Sequence, residues 1–183
     1  DGRFAHNADQ LGIDLATADL AVLSHGHYDH GDGLDVFFQH NAAAPVYART
    51  AATQPEYHGE RYIGLKPELF AQFGDRFVFS EVPGEIAPGL WTVPDPVNHE
   101  QSLVAETRTG LVILNSCCHA AADHVVESVT ACFPGVPVRA LIGGFHLMGE
   151  NGPSTMGPAP EMVLYLGSRL FGPLQVDHVW TGH

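Results

Sequence analysis

The stretch "SHGHYDH" at residues 24–30 places His25, His27, Asp29 and His30 within six positions, at the end of the apolar run "DLAVLS". That run reads as a buried strand, so the polar segment, with Gly31 and Gly33 behind it, has to lie where the strand leaves the core. The constraint points to a sheet whose strand ends carry the chemistry, a common arrangement for binding sites in sheet proteins. His25 and His27 are two apart and project to the same side of an extended chain, where they can grip one ion. Asp29 and His30 lie one turn further on and can reach a second, so the spacing predicts two metals. Imidazoles with one carboxylate suit Zn(II), while Fe, Mn or Co accept the same donors. A solvated turn that is rich in histidine by accident does not concentrate four ligand-type side chains in this way.

Other histidines occupy equivalent places. His99 precedes a strand expected at 102–107, His119 follows one at 111–115, His146 one at 138–144 and His183 one at 176–181. Strand ends on one edge of a sheet can converge, which turns a scattered set into a candidate cluster. Between them, "LDVFFQH", "PELFAQF", "ADHVVESVTACF" and "PEMVLYLGSRLF" predict helices, and "SLVAETRTGLVIL" predicts a hairpin. Phe4, Ala8 and Leu11 before Gly12 mark a short first helix, and 148–160 reads as a flexible loop. With no internal repeat and no interdomain linker, residues 1–183 read as one α/β domain of sheets covered by helices.

Charge narrows the partners. Twenty-one acidic against eight basic residues give a formal net charge of −13, which repels a polyanion, so nucleic acid is not an expected partner. The longest apolar runs are far shorter than the roughly 18 to 20 residues of a membrane span, so no membrane partner is expected. Three cysteines, two adjacent at Cys117 and Cys118, do not form a spaced disulfide framework, which favours reduced thiols and a cytoplasmic setting. Cys118 and Cys132 read as small buried hydrophobes. Nothing in the sequence sets an oligomeric state.

"HGHYDH" fits the His-x-His-x-Asp-His signature of the metallo-β-lactamase superfamily, and "SHGHYDHGDGL" fits it with its flanks. The chain most resembles the dihydropterin (ribofuranosylaminobenzene phosphate) synthase-like branch, through "LGIDL", "HEQSLV", "NSCCH", "IGGFHL" and the final "TGH" in that order. The resemblance implies an αββα sandwich. It also implies His25 and His27 on one metal, with Asp29, His30 and the late ligand His183 on the other. His99 stands in order where the superfamily has its third histidine. Cys117 falls where many members have a bridging aspartate, with His119 two residues beyond; His119 is the favoured ligand and His99 follows. His146 is open as a ligand, a proton carrier or a substrate contact. The branch has an Arg-Tyr stretch beside its substrate pocket, matched here by Arg61 and Tyr62 in "PEYHGERYIGL" (55–65). Arg61, whose planar fork pairs with phosphate or carboxylate, is thus the candidate for gripping an anionic substrate. The superfamily fold opens with strands ahead of a turn resembling Asp1-Gly2 and continues beyond "TGH", so the chain reads as truncated at both ends.

These implications lead to an expected di-zinc hydrolase of a small anionic ester, a phosphodiester first, in which Asp29 and His146 are catalytic. The alternatives are a pterin-related synthase acting on a phosphorylated substrate, and a non-catalytic metal- or ligand-binding domain. A di-iron redox protein is disfavoured by His27, because related redox folds carry an acidic residue at that place.

Overall fold

The computed structural model describes residues 3–149, 152–157 and 159–182. It comprises two compact units, Asp1–Glu81 and Val82–His183, each with its own sheet and core.

In the first unit the elements run α1 (Arg3–Gln10), β1 (Ala21–Val22), α2 (Tyr28–Gly31), α3 (Leu34–His40), β2 (Val46–Ala48), β3 (Tyr57–His58), β4 (Arg61–Tyr62), α4 (Pro67–Phe73) and β5 (Phe77–Phe79). Strands β1, β2 and β5 form a parallel sheet in that order, with Ala21 opposite Val46 and Val46 opposite Phe77. Parallel neighbours need crossover connections, which the helices provide. Phe37, Phe38, Val46, Leu65, Leu69 and Phe77 build the core, where Phe38 stacks on Phe73 at 4.4 Å. The run "DLAVLS" is a shorter strand than its composition predicts, although Leu23 still donates its N–H to the Tyr47 carbonyl at 2.9 Å. The histidine motif therefore starts right at the edge of this small sheet.

The second unit runs β6 (Gly84–Ala87), β7 (Leu90–Pro94), β8 (Gln101–Thr107), β9 (Gly110–Asn115), α5 (Ala122–Cys132), β10 (Val138–Gly143), β11 (Met148–Gly149), β12 (Gly152–Met156), α6 (Pro160–Phe171) and β13 (His178–Thr181). Its main sheet has the order β13-β10-β9-β8-β7-β6. Strands β6 to β9 form an antiparallel meander, and β9, β10 and β13 are parallel, joined through α5 and α6. The expected hairpin is present, with Thr107 opposite Gly110. Helix α5 buries Ala122, Val125, Val126 and Val129, the one-face spacing that its sequence shows, in a core with Val104, Leu111, Ile113 and Leu141.

The α/β class expected from sequence is the class observed. Two segments differ in detail. The loop at 55–65 contains the β3–β4 ribbon, in which Tyr57 faces Tyr62 and His58 faces Arg61. The segment 148–160 contains β11 and β12, which pair antiparallel. In both, the pairing is made by backbone groups in chain whose Gly and polar content hides any apolar alternation. Among the described residues no helix is long and apolar enough to cross a membrane.

Candidate metal centre

The first unit presents the histidine motif on the turn from β1 into α2. Gly26 is required there, because a Cβ would stand 2.8 Å from the Ala52 backbone. His27 ends the extended segment as the residue before α2, so Asp29 and His30 ride on a helical turn. His25 is fully buried, and its Nδ1 lies 2.9 Å from Ser24 Oγ. The tautomer that protonates Nδ1 donates to that hydroxyl and leaves the Nε2 lone pair directed outward. Nε2 then faces His27 Nδ1 at 3.1 Å, while the His30 ring centroid is 4.4 Å from that of His25. Asp29 is exposed, with Oδ2 at 3.6 Å from His30 Nε2. A cleft of about 510 Å³ opens beside Asp29 and His30, lined also by Arg3, Tyr28 and Asp32.

The β3–β4 ribbon is tied to this motif by its backbone. Tyr28 donates its N–H to the Ile63 carbonyl at 2.8 Å, and His27 bridges Gly64. Arg61 consequently sits by Tyr28, donating from Nη2 to the phenol oxygen at 2.9 Å with its guanidinium 5.2 Å from the ring centre. Both residues are exposed, so the cation stands next to the metal-type motif and open to solvent. Tyr62 is turned inward at its tip: the hydroxyl donates to the Leu65 carbonyl at 2.5 Å. Burial raises its pKa, with Tyr57 and Glu68 adding in the same direction.

The second unit brings three of its strand-end histidines together. The rings of His99 and His119 are 5.1 Å apart and those of His119 and His146 are 4.8 Å apart. His99 lies in the tight turn between β7 and β8, which Asp95 Oδ1 organises by accepting the N–H groups of Val97 and Asn98. His119 follows β9 on a turn held by Asn115, whose Oδ1 accepts from Cys117 N–H at 3.2 Å and Cys118 N–H at 2.8 Å. The Asn115 amide in turn donates to Ser102 Oγ at 3.0 Å. His146 and Cys118 both have φ of 52°, a conformation that costs energy outside glycine and that clusters at functional sites. Asn115→Ala is expected to destabilise the protein by about 1–3 kcal/mol, since the buried Cys118 N–H loses its acceptor while the Cys117 N–H keeps Glu100 as a second one. Urea unfolding checks this, and a midpoint equal to that of the unaltered protein would refute the bracing role.

Glu100, which sequence reasoning passed over, is fully buried, and its Oε2 accepts the His119 N–H at 2.6 Å. Burial pushes its carboxyl up to about 7, against the lowering effect of the His119 N–H, with Asp95 adding upward. Its local sequence gives no signal, because a carboxylate followed by Gln101 and Ser102 reads as a solvated charge. One ligand atom each from Glu100, Cys117 and His119 all lie within 4.8 Å of one another. Cys117 Sγ is also 3.2 Å from His146 Nδ1. Cys118 is buried, and burial pushes its thiol up, with Glu100 and Cys117 adding. Cys132 departs from the expected buried position: it is exposed near the end of α5, with Sγ toward the Ser128 carbonyl.

His6, His40, His58 and His178 are exposed, and His124 is half-buried with Nε2 at 3.8 Å from Asp95 Oδ1. His183 and the Asp1-Gly2 pair lie outside the described residues.

The donors present fit a zinc-class ion. Two nitrogens bound at the usual Zn–N distance in a tetrahedron stand about 3.3 Å apart. The His25–His27 nitrogen separation of 3.1 Å is close to that value. Imidazole, thiolate and carboxylate are also the donors that zinc takes, whereas magnesium and calcium prefer oxygen alone.

The profile of the metallo-beta-lactamase superfamily matches residues 1–129. A Methanocaldococcus jannaschii protein named 7,8-dihydropterin-6-methyl-4-(beta-D-ribofuranosyl)-aminobenzene-5'-phosphate synthase is 28% identical over 179 aligned positions, covering 78% of this chain and 60% of that protein. An uncharacterized protein of the same organism is 30% identical over 160 positions, covering 73% of this chain and 59% of that one. The chain thus spans about 60% of the length of these curated relatives. Among solved structures, Tm1679, described as a metal-dependent hydrolase of the beta-lactamase superfamily, is similar with a TM-score of 0.77 at 26% identity, covering 96% of this chain and 72% of that one. With its signature motif, its α/β fold and a profile match over most of its length, the chain belongs to the metallo-beta-lactamase superfamily.

Proposed function

We propose that the protein is a metal-dependent hydrolase of a small anionic ester, with zinc as the ion and a phosphodiester as the first substrate class to test. The observation that carries this reading is the His25–His27 nitrogen pair at 3.1 Å, in a superfamily whose solved member Tm1679 is described as a metal-dependent hydrolase. The proposed ligands are His25 and His27 for one ion and Asp29 and His30 for a second, with His99, His119 and His183 as the further ligands that the resemblance implies. Iron or manganese is the next choice for the same donors. Held by these residues, zinc would supply a water of lowered pKa and a positive charge beside the ester oxygens.

The protein's own groups supply the rest. Ser24 fixes the ring of His25. Asp29 accepts a hydrogen bond from the incoming water and orients it. Arg61, held beside the motif by Tyr28, pairs with the substrate's negative charge and sets its direction. His146, an exposed imidazole, returns a proton to the leaving oxygen. A small anion suits this chain as substrate, whereas nucleic acid and membrane surfaces do not suit a net charge of −13. Three cysteines standing as thiols support a reducing, cytoplasmic setting.

The name of the relative at 28% identity favours a second reading, a synthase-like enzyme on a phosphorylated pterin-type substrate. Elemental analysis joined to a hydrolysis panel, run before and after chelation, separates the readings. The expected result is stoichiometric zinc and phosphodiester turnover that chelation removes and zinc restores. Metal with no turnover of phosphodiesters, lactones, thioesters or β-lactams would move the choice to a synthase or a non-catalytic binding domain. A protein without stoichiometric metal would end the metal-dependent reading.

A further inference from the structure

We propose that the cleft lined by α1 and α2 is a subsite for an uncharged aromatic ring on the small anionic substrate, with Phe4 as the residue that selects the ring. The subsite deepens the reading above, on which it rests for the anionic group, by naming what lies next to that group.

Placement and size come first. The cleft of about 510 Å³ is lined by Arg3 and Phe4 of α1 and by Tyr28, Asp29, His30 and Asp32 in and just after α2. Its volume falls within the roughly 300–1,000 Å³ that small-ligand pockets occupy. Asp29 and His30 belong to the metal-type motif, so a ligand seated at the motif reaches the cleft directly.

Two aromatic rings stand in this space and both are open to solvent, Phe4 at 43% exposure and Tyr28 at 37%. Each is held in place. Phe4 lies against Gly33, where an added Cβ would stand 3.0 Å from Phe4 Cγ, so the glycine lets the ring approach the start of α3. Tyr28 is fixed at both ends: its backbone N–H donates to the Ile63 carbonyl at 2.8 Å and its phenol oxygen accepts from Arg61 at 2.9 Å. Aromatic surface left in water is recovered as binding energy when a ligand covers it, and rings already fixed lose little freedom in doing so.

Charge decides what kind of group enters. Arg3 and Asp32 offset one another in the same cleft, so its wall offers a second anion no net attraction. Arg61, the cation that pairs with the substrate's negative charge in the reading above, stands at the Tyr28 phenol. A flat uncharged ring beside that anion meets both demands, because it covers apolar surface and packs edge-to-face or offset on Phe4 and Tyr28. A short aliphatic group gains only part of the burial and none of the ring geometry.

The test uses the zinc-loaded full chain and two inert anions, phenylphosphonate and methylphosphonate, which differ by a ring against a methyl group. Titration calorimetry is expected to show phenylphosphonate bound about 10-fold more tightly. Phe4→Ala is expected to remove most of that preference and Phe4→Trp to keep it, whereas a merely structural role of Phe4 would weaken both anions alike. Equal affinity of the unaltered chain for the two anions, no binding of either included, would overturn the subsite. A folded Phe4→Ala protein that kept the full preference would overturn the assignment of Phe4. Zinc content is read on the same samples, and a chain without stoichiometric zinc ends the metal-dependent reading whichever way the anions bind. The comparison on the unaltered chain decides the ring question even if a variant folds poorly.

Discussion

His25→Ala is expected to remove stoichiometric metal from the purified protein. His25 is the one fully buried ligand-type side chain of the "SHGHYDH" motif, so solvent does not reach it to replace a lost ligand. Its ring is fixed on one side by Ser24 and meets His27 Nδ1 on the other at 3.1 Å, so alanine deletes one half of the best-formed donor pair in the first unit. Losing a partner that merely orients a ligand typically weakens binding by roughly 10- to 100-fold, and losing the ligand itself should exceed that. Ser24→Ala provides the graded comparison. It keeps the imidazole but frees its Nδ1 side, so about a 10-fold weakening is expected. Metal content by mass spectrometry and zinc affinity by chelator competition read both variants, with circular dichroism to confirm folding. A folded His25→Ala protein that retained full metal would remove His25 from the ligand set.

Much of this arrangement is legible in the sequence, because the signals involved are local. Four ligand-type side chains at the end of an apolar run mark the strand end, and helix α5 shows its buried face as valines and alanine at one-face spacing. His99, His119 and His146 each flank an apolar run, and the second unit brings their rings to within about 5 Å of the next. Other features depend on partners distant in sequence. Glu100 looks like a solvated charge until the chain at Cys117–His119, on the far side of the β8–β9 hairpin, is seen to donate to it. The β3–β4 ribbon is written in Tyr, His, Gly, Glu and Arg, which signal a polar loop, yet backbone bonds to Tyr28 and His27 make it a wall of the motif. Arg61 could be proposed from resemblance, but its partner Tyr28 could not, because that residue sits inside the metal signature and its phenol carries no spacing signal. The core reading of Cys132 fails for a related reason: apolar character alone does not say on which side of the last helical turn a residue falls.

The heaviest loss of stability is expected from Gly143→Ala. Gly143 ends β10 with φ of +151°, and a Cβ there would stand 1.6 Å from the Asn115 carbonyl oxygen. No side-chain rotation relieves that overlap, since both groups are backbone, so either β10 or the end of β9 has to move. Both carry essential contacts. Asn115 is paired with Gly143 across the ladder, its carbonyl accepts the Gly144 N–H at 3.2 Å, and its side chain organises the Cys117–Cys118 turn. The Gly143 carbonyl in turn accepts the Gly182 N–H at 3.2 Å, which ties the end of β13 to the same corner. Displacement there strains three strand ends at once, and a penalty of about 4 kcal/mol or more follows, at the upper end of what single substitutions cause. For a chain of this size that corresponds to a fall of about 10 °C or more in Tm. Gly167→Ala is the opposite control. Gly167 lies within α6 with nothing within 4 Å of its added Cβ. Alanine there is expected to stabilise by about 0.5–1 kcal/mol through its higher helix propensity. Thermal unfolding followed by circular dichroism measures both, and a Gly143→Ala protein that melts with the unaltered one would contradict the packing at this corner.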